Sequence, residues 1–138
     1  MRASLMAVAF ATLAGSTMAA DLRVGTNAAY EPFEYKTASG EIVGFDIDIA
    51  NALCEQLKRK CVFVESEFDS VIPGLQARKF DVIISSISIT PERQRVVDFT
   101  KRYYKTPSAI VVKKSVKYEG PASLKGMKIG VLKGSTQE

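Results

Sequence analysis

Hydroxyl groups, open backbone amides and one arginine occur together in a single short segment, residues 85–93 (SSISITPER). Thr90 and Pro91 have the pattern of a helix start, because a threonine hydroxyl caps the first amides and proline suits the first helical position. A helix start offers unpaired N–H groups and the positive end of the helix dipole. Arg93 follows on the first turn, and its guanidinium can bind a carboxylate bidentately. These residues predict a pocket for a small organic anion, such as an amino acid.

The same segment also has a purely structural interpretation. Thr-Pro-Glu-Arg is a common helix start, and Glu92 could simply pair with a neighbouring cation on a solvated face. The preceding run at residues 80–84 (FDVII) is apolar and predicts a buried strand. Ligands of parallel α/β sheets bind beyond the carboxyl ends of the strands, so the position of the segment favours a binding site.

Predicted strands and helices alternate along the first hundred residues. Residues 22–26 and 61–65 are typical of strands, and residues 46–57 repeat apolar side chains at helical spacing. We expect another helix from about residue 69 to 77, kinked or shortened by Pro73. This alternation predicts an α/β fold with a parallel sheet.

The pattern changes after residue 99. Residues 109–112 and 128–132 are predicted strands, and a helix start follows them. Two strands and one helix start are too little to bury a separate core. We therefore expect a first lobe at 20–107 and, at 108–138, a hinge crossover with only the start of a second lobe.

The first 19 residues have the composition of a cleaved secretory signal. Arg2 supplies a positive start, residues 4–13 are almost entirely apolar, and small residues follow. The apolar run is shorter than the about 20 residues that a membrane span needs. We predict cleavage after Ala19, with Ala20 as the second choice, and export; a retained anchor is the alternative.

Export to an oxidising compartment would permit a disulfide between Cys54 and Cys61, with a pair of free thiols as the alternative. A zinc site is not expected, because the chain has no histidine and no further cysteine pair. The positive charges are scattered rather than gathered on one face, so nucleic acid is not an expected partner. We expect no catalytic residue, metal or cofactor.

Five ordered motifs resemble those of the periplasmic solute-binding proteins of polar amino-acid ABC importers, the family-3 type. Within that family the lysine/arginine/ornithine and histidine binders are the most similar, and Cys54 and Cys61 match a disulfide found in the basic-amino-acid binders. The resemblance covers residues 22–138 and implies two α/β lobes, joined by hinge strands, that close on one amino acid. The motifs are GTNAAYEPF (25–33), VGFDIDI (43–49), FDSVIP (68–73), ISSISITPER (84–93) and GVLKGST (130–136).

The resemblance also implies how the ligand's charged ends would be held. Arg93 matches the arginine that binds the α-carboxylate, and the backbone amides of Ser88 and Thr136 match those that assist it from the two lobes. Ser85 and Ser86 match residues that line the α-amino end. The acidic residue that binds the α-ammonium in this family would lie beyond position 138.

The remaining implied contacts surround the ligand side chain. Tyr30 and Phe68 match aromatic walls, although without the resemblance they would be interpreted as a surface loop residue and a core residue. Ser135 and Gln137 match polar positions of the second lobe. Asn27 stands where basic-amino-acid binders often carry an acid, and a neutral amide supplies no compensating charge. Lysine and ornithine are therefore disfavoured, whereas arginine, histidine and glutamine stay open.

Four other acids are interpreted as structural. Asp46 and Asp48 lie at a predicted helix start, where acids favour the dipole, and Asp81 and Asp98 are expected to be capping or solvated. The predicted function is non-enzymatic: a periplasmic, monomeric binding protein that delivers a polar or basic L-amino acid to an inner-membrane ABC permease. A dehydratase-type enzyme on the same scaffold and the ligand-sensing domain of a receptor are the alternatives.

Overall fold

The computed structural model describes residues 20–138, so the predicted secretory signal at residues 1–19 lies outside the described residues. The described part has the predicted α/β fold. In chain order its elements are strands β1 (Leu22–Thr26), β2 (Ala29–Tyr30), β3 (Glu34–Lys36) and β4 (Ile42–Val43), helix α1 (Phe45–Gln56), strand β5 (Cys61–Glu65), a first 3-10 turn (Phe68–Ser70), helix α2 (Val71–Gln76), strand β6 (Val82–Ile83), helix α3 (Pro91–Gln94) and a second 3-10 turn (Pro121–Leu124).

A parallel sheet of order β5-β1-β6 forms the centre of the fold. Leu22 of β1 is in register with Cys61 of β5, and Val24 with Val82 of β6. Parallel neighbours need crossover connections, which α1 and α2 provide. Because all three strands run the same way, their carboxyl ends share one edge of the sheet.

The core lies between this sheet and the helices. Val24, Ala50 and Ile84 form its buried centre. The ring of Phe80 packs directly on the central strand, since a Cβ at Gly25 would lie 2.5 Å from that ring. A larger residue at position 25 would therefore displace Phe80.

Helix α1 buries one face and is fixed near its C-terminal end. Its buried residues include Ile47, Ala50 and Cys54, whereas Leu53 and Leu57, which the helical spacing predicted on the same face, are exposed; Leu57 lies just beyond the last helical residue. Cys54 forms the predicted disulfide with Cys61, with Cα atoms 5.8 Å apart. This bond joins the end of α1 to the start of β5.

The antiparallel strands β2, β3 and β4 form a second sheet beside α1. It contributes Tyr30 and the buried Glu34 to the region beyond the parallel strands. The helix predicted at 69–77 is instead a 3-10 turn followed by α2. Pro73 does not kink it, because it lies in the first turn of α2, where an amide has no intrahelical partner.

Residues 100–138 contain the second 3-10 turn and no strand. The strand predictions for 109–112 and 128–132 were therefore wrong for this structure. A strand needs a paired neighbour, and these segments pair with no part of the described chain, which leaves Val111 91% and Ile129 61% exposed. None of the described helices is both long and apolar enough to cross a membrane.

Candidate functional site

Asn27 links the ends of all three parallel strands. It follows β1, and its backbone N–H donates to Ser85 Oγ, beyond β6, at 3.0 Å. Its side-chain Nδ2 donates to the carbonyl of Ser66, beyond β5, at 3.1 Å. Since a carbonyl only accepts, the Asn27 amide nitrogen must face Ser66, and the buried side chain has one fixed orientation.

An open cleft of about 1210 Å³ extends from these strand ends to residues 132–137. The structure brings all ten predicted ligand-binding residues to this one cleft. Their contacts with a ligand stay a prediction. The ten are Asn27, Tyr30, Phe68, Ser85, Ser86, Ser88, Arg93, Ser135, Thr136 and Gln137.

Arg93 is positioned by the start of α3. Thr90 caps this helix as predicted, with its Oγ1 accepting from the Arg93 N–H at 3.2 Å. The Arg93 guanidinium donates 2.8 Å hydrogen bonds to the carbonyls of Ser88 and Gly134, and it lies 5.7 Å from the centre of the Phe68 ring. These three contacts hold the guanidinium in place and leave three of its five N–H donors for an anion.

The charge of Arg93 has no carboxylate partner. None of the four ion pairs formed within residues 20–138 includes it. Burial lowers the pKa of its guanidinium, but arginine stays charged at neutral pH. A half-buried, fixed and unpaired cation in a cleft is suited to bind an anionic group.

Residues 132–138 reach the cleft through a few polar contacts. Lys133 Nζ lies 2.8 Å from Asp69 Oδ2, and this pairing lowers the pKa of the Asp69 carboxyl. Gly134 packs so closely on Asp69 that a Cβ there would lie 2.8 Å from the Asp69 Cα. Gln137 Nε2 donates to Ser108 Oγ at 3.1 Å. Through Lys133 and Gly134 the second region (residues 100–138) thus contacts the first region (residues 20–99) across the cleft.

Aromatic rings line one side of the site. Tyr30, which is 44% exposed, stacks on the buried Phe33 with ring centres 5.1 Å apart. Tyr104, in the connector that leads out of the first region, packs on Phe33 at 5.3 Å. The predicted wall residue Tyr30 therefore packs on Phe33, which in turn packs on the connector through Tyr104.

Sequence reasoning missed two acids next to the serines. Glu34 Oε1 accepts from Ser85 Oγ at 2.9 Å, and Asp46 Oδ2 accepts from Ser86 Oγ at 3.0 Å and from the Ser86 N–H. Both acids are buried. Asp46 had been interpreted only as a helix-start residue, and no local pattern marks Glu34, whose partner is 51 residues away.

Burial gives this cluster its electrostatic character. It raises the pKa of Glu34 to about 8, with the Asp46 carboxylate adding to the effect and the Ser85 hydrogen bond opposing it. Burial also raises the pKa of Tyr103, again with Asp46 and Glu34 adding to it. Like charges and a low dielectric both disfavour a second ionised carboxyl group here.

The other acids behave as the sequence suggested or lie apart from the cluster. Asp48 is exposed on α1, and Asp98 is exposed beyond α3. Asp81 pairs with Arg23 at 2.7 Å, and the hydrogen bond from Arg23 lowers the pKa of Asp81 to about 2. Within residues 20–138, no group of three or more histidine, cysteine or acidic side chains is placed to hold a metal ion.

Comparison with known proteins identifies the family of this chain. The model of the bacterial extracellular solute-binding proteins, family 3, matches residues 22–137. The chain belongs to this family. The resemblance predicted from its motifs is thereby confirmed.

Two relatives of known function align with nearly the whole of this chain. An L-arginine-binding protein of Pseudomonas aeruginosa is 52% identical over 139 residues, which cover 99% of this chain and 54% of the relative. A histidine-binding periplasmic protein of Salmonella typhimurium is 46% identical over 135 residues, covering 97% of this chain and 52% of the relative. The chain thus spans about half the length of these relatives.

The solved structure of a single domain is also similar to this chain. It is the arginine-bound form of domain 1 from TmArgBP, which is 43% identical and superposes with a TM-score of 0.59. The match covers 60% of this chain and 66% of that domain. The chain therefore has the α/β fold of the periplasmic binding proteins.

Proposed function

We propose that the protein is the substrate-binding component of an ABC importer. It holds one polar or basic L-amino acid in the cleft between the strand ends and residues 132–137. Membership of the solute-binding family and the names of its relatives support this role. The observation that carries it is the fixed, unpaired Arg93 guanidinium, which suits the α-carboxylate of an amino acid.

Both ends of an amino acid then have a place. The carboxylate lies at Arg93, assisted by the backbone amides of Ser88 and Thr136, and the α-ammonium lies near Ser85 and Ser86. Tyr30, Phe68, Ser135 and Gln137 surround the side chain. That domain 1 of a related protein is known with arginine bound supports a dominant contribution from the first region.

Arginine is the ligand we expect to bind most tightly. Because the Asn27 amide nitrogen is committed to Ser66, its carbonyl oxygen is the group that can accept from a guanidinium, an imidazole or an amide. A neutral oxygen compensates the concentrated charge of an ammonium less well than a carboxylate does. Lysine and ornithine should therefore bind more weakly than arginine, with histidine and glutamine between them.

The cellular setting follows from the same role. We propose export through the predicted signal at residues 1–19, a periplasmic location, action as a monomer, and delivery of the ligand to an inner-membrane permease. The periplasmic histidine-binding relative supports the location. We also infer that the protein is not an enzyme. The relatives named above are binding proteins, and L-arginine should be recovered unchanged after incubation.

Calorimetric titration tests the function. The purified protein should bind L-arginine more tightly than L-histidine or L-glutamine, and L-lysine least. Arg93→Ala should weaken arginine binding by about 2–5 kcal/mol, because a charged partner is removed from a desolvated contact. Arg95→Ala is the matched control, since Arg95 is exposed and does not line the cleft.

Two results would contradict the proposal. If the folded protein binds none of the four amino acids, the proposed function is wrong. Equal affinity of the Arg93→Ala and Arg95→Ala variants would mean that the carboxylate is held elsewhere.

A further inference from the structure

Two buried acids from different elements meet at the serines of the proposed site. Glu34, on β3, is 1% exposed, and Asp46, on α1, is fully buried. Each accepts a hydrogen bond from one serine hydroxyl, Glu34 from Ser85 and Asp46 from Ser86. Nothing in the proposed binding roles accounts for acids in this position, and burial of two carboxyl groups is costly.

The hydrogen atoms of the two serine hydroxyls are already committed. A hydroxyl has one hydrogen to donate and two lone pairs to accept with. Ser85 donates its hydrogen to Glu34 and accepts from the Asn27 N–H, and Ser86 donates its hydrogen to Asp46. Both hydroxyls therefore offer only lone pairs to anything in the cleft. Such groups can bind a cationic donor but cannot donate to an anion.

Each acid also has one oxygen without a partner. Glu34 Oε2 and Asp46 Oδ1 are buried and make no hydrogen bond within the described residues. Buried polar atoms almost always have a partner. The Asp46 side chain lies within hydrogen-bonding reach of Glu34 and raises its pKa, so one proton held between these two oxygens would satisfy both of them and leave a single negative charge on the pair.

The surroundings contain no cation that could replace this proton. None of the ion pairs formed within residues 20–138 includes Glu34 or Asp46. Lys36, the nearest basic residue along β3, is paired with Glu65 of β5. From the connector the other titratable group is Tyr103, which is neutral because burial and both carboxyls raise its pKa. The raised pKa of Glu34, about 8, agrees with a proton on that residue at neutral pH.

Asp46 also holds the backbone at Ser86. Ser86 has a φ of 44°, in the left-handed region that non-glycine residues seldom adopt. Its N–H and its hydroxyl both donate to Asp46 Oδ2, so one carboxylate oxygen fixes the backbone and the side chain together. A strained residue keeps its conformation only where its surroundings impose it.

We propose that Glu34 and Asp46 share one proton and act as positioning residues, which set the Ser85 and Ser86 hydroxyls as acceptors for the α-ammonium of the ligand. The remaining negative charge of the pair balances the ammonium charge from within the first region. This inference rests on the proposed amino-acid binding, and it adds residues of the first region that act on the amine through the two serines. Arg93 would hold the opposite, anionic end.

Carbon NMR of the side-chain carboxyls tests the shared proton without any ligand. In the free protein one carboxyl carbon should titrate near pH 8, and this transition should be absent in Glu34→Gln. In Asp46→Asn the transition should move to lower pH, because the neighbouring charge is gone. Absence of any carboxyl titration above pH 7 in the wild-type protein would overturn the shared proton.

Comparison of two ligands isolates the contribution of the α-amino group to binding. The probes are L-arginine and 5-guanidinopentanoic acid, which is arginine without its α-amino group. Asp46→Asn should weaken L-arginine binding tenfold or more but change binding of the analogue by less than threefold. Glu34→Gln should weaken L-arginine binding less than Asp46→Asn does, since an amide reproduces both the acceptor and the donor of a protonated carboxyl. Glu65→Gln, an exposed acid outside the cluster, is the control.

The variants also have clear contrary outcomes. Equal losses for both ligands in Asp46→Asn would show that the acid acts only through the fold. If Asp46→Asn does not fold, Ser86→Ala should show the same selective loss for L-arginine, and an equal loss for both ligands there would overturn the proposal. If the wild-type protein binds neither probe, both the amine role and the proposed function are contradicted. The carboxyl titration would still test the shared proton, because it needs no ligand.

Discussion

Residues 20–99 and residues 100–138 are held by different kinds of contact. In the first region each strand has a neighbour and the helices cover the parallel sheet, so Val24 and Ala50 are completely buried. In the second region no strand forms, and apolar side chains such as Val111 stay in solvent. Nevertheless the same cleft takes residues from both regions. Stability and ligand binding should therefore depend on different parts of the chain.

Tyr103 and Tyr104 pack the start of the second region on aromatic rings of the first, whereas residues 132–138 meet the first region through contacts that are few and polar. Arg93 donates to the Gly134 carbonyl, and Lys133 pairs with Asp69. Such contacts contribute little to the free energy of folding when they are exposed. They can still matter for binding, because they place the backbone of residues 134–137 beside Arg93.

Removal of the Phe80 ring should give the largest effect, and it should be an effect on stability. Phe80 is 2% exposed and packs on Gly25 and Gly74. Phe80→Ala should lower the free energy of unfolding by about 3–5 kcal/mol, measured by urea denaturation, because it leaves a cavity against the central strand. Phe80→Leu, which keeps more of the side-chain volume, should lower the free energy of unfolding by less. An unfolding free energy within 1 kcal/mol of wild type in Phe80→Ala would mean that the core lies elsewhere.

A methyl group at Gly134 should weaken ligand binding but leave stability unchanged. The Cβ of Gly134→Ala would lie 2.8 Å from the Asp69 Cα, and the residue has a φ of 75°. Displacement of this segment should weaken L-arginine binding by about 1–3 kcal/mol while the unfolding transition of the first region stays unchanged. Gly130→Ala is the matched control, since nothing lies within 4 Å of its Cβ position. If both variants bind arginine like wild type, the second region contributes nothing to the site.

The first region could largely be predicted because its determinants are local or repeat along the chain. The strand at 22–26, the Thr90 cap and the ends of the parallel strands follow from residue types and their spacing, and those ends place Asn27 beside Ser85. The register then makes the juxtaposition inevitable: Val24 pairs with Val82, so residues a few positions later meet. Sequence was sufficient where position along a strand determines position in space.

What could not be predicted depends on contacts between distant segments. Glu34 and Asp46 look like ordinary surface acids in the sequence, and only the packing of β3 and α1 on the segment after β6 reveals their role. The runs at 109–112 and 128–132 have strand-like composition, but composition cannot supply a pairing partner. In both cases the deciding fact is a neighbour far away in sequence.

Loss of the Lys133 charge should give the smallest effect and thereby show how the two regions are held together. Lys133 is 81% exposed at its side chain and pairs with Asp69, which is 28% exposed. Exposed ion pairs are screened by water and salt, so Lys133→Ala should weaken L-arginine binding less than about threefold at moderate ionic strength. Titration at low and high salt should show a wild-type affinity that falls slightly with salt and a variant affinity that falls less. A loss as large as that of Gly134→Ala would contradict this ranking, because the ion pair rather than the close backbone packing at Gly134 would then hold the second region on the first.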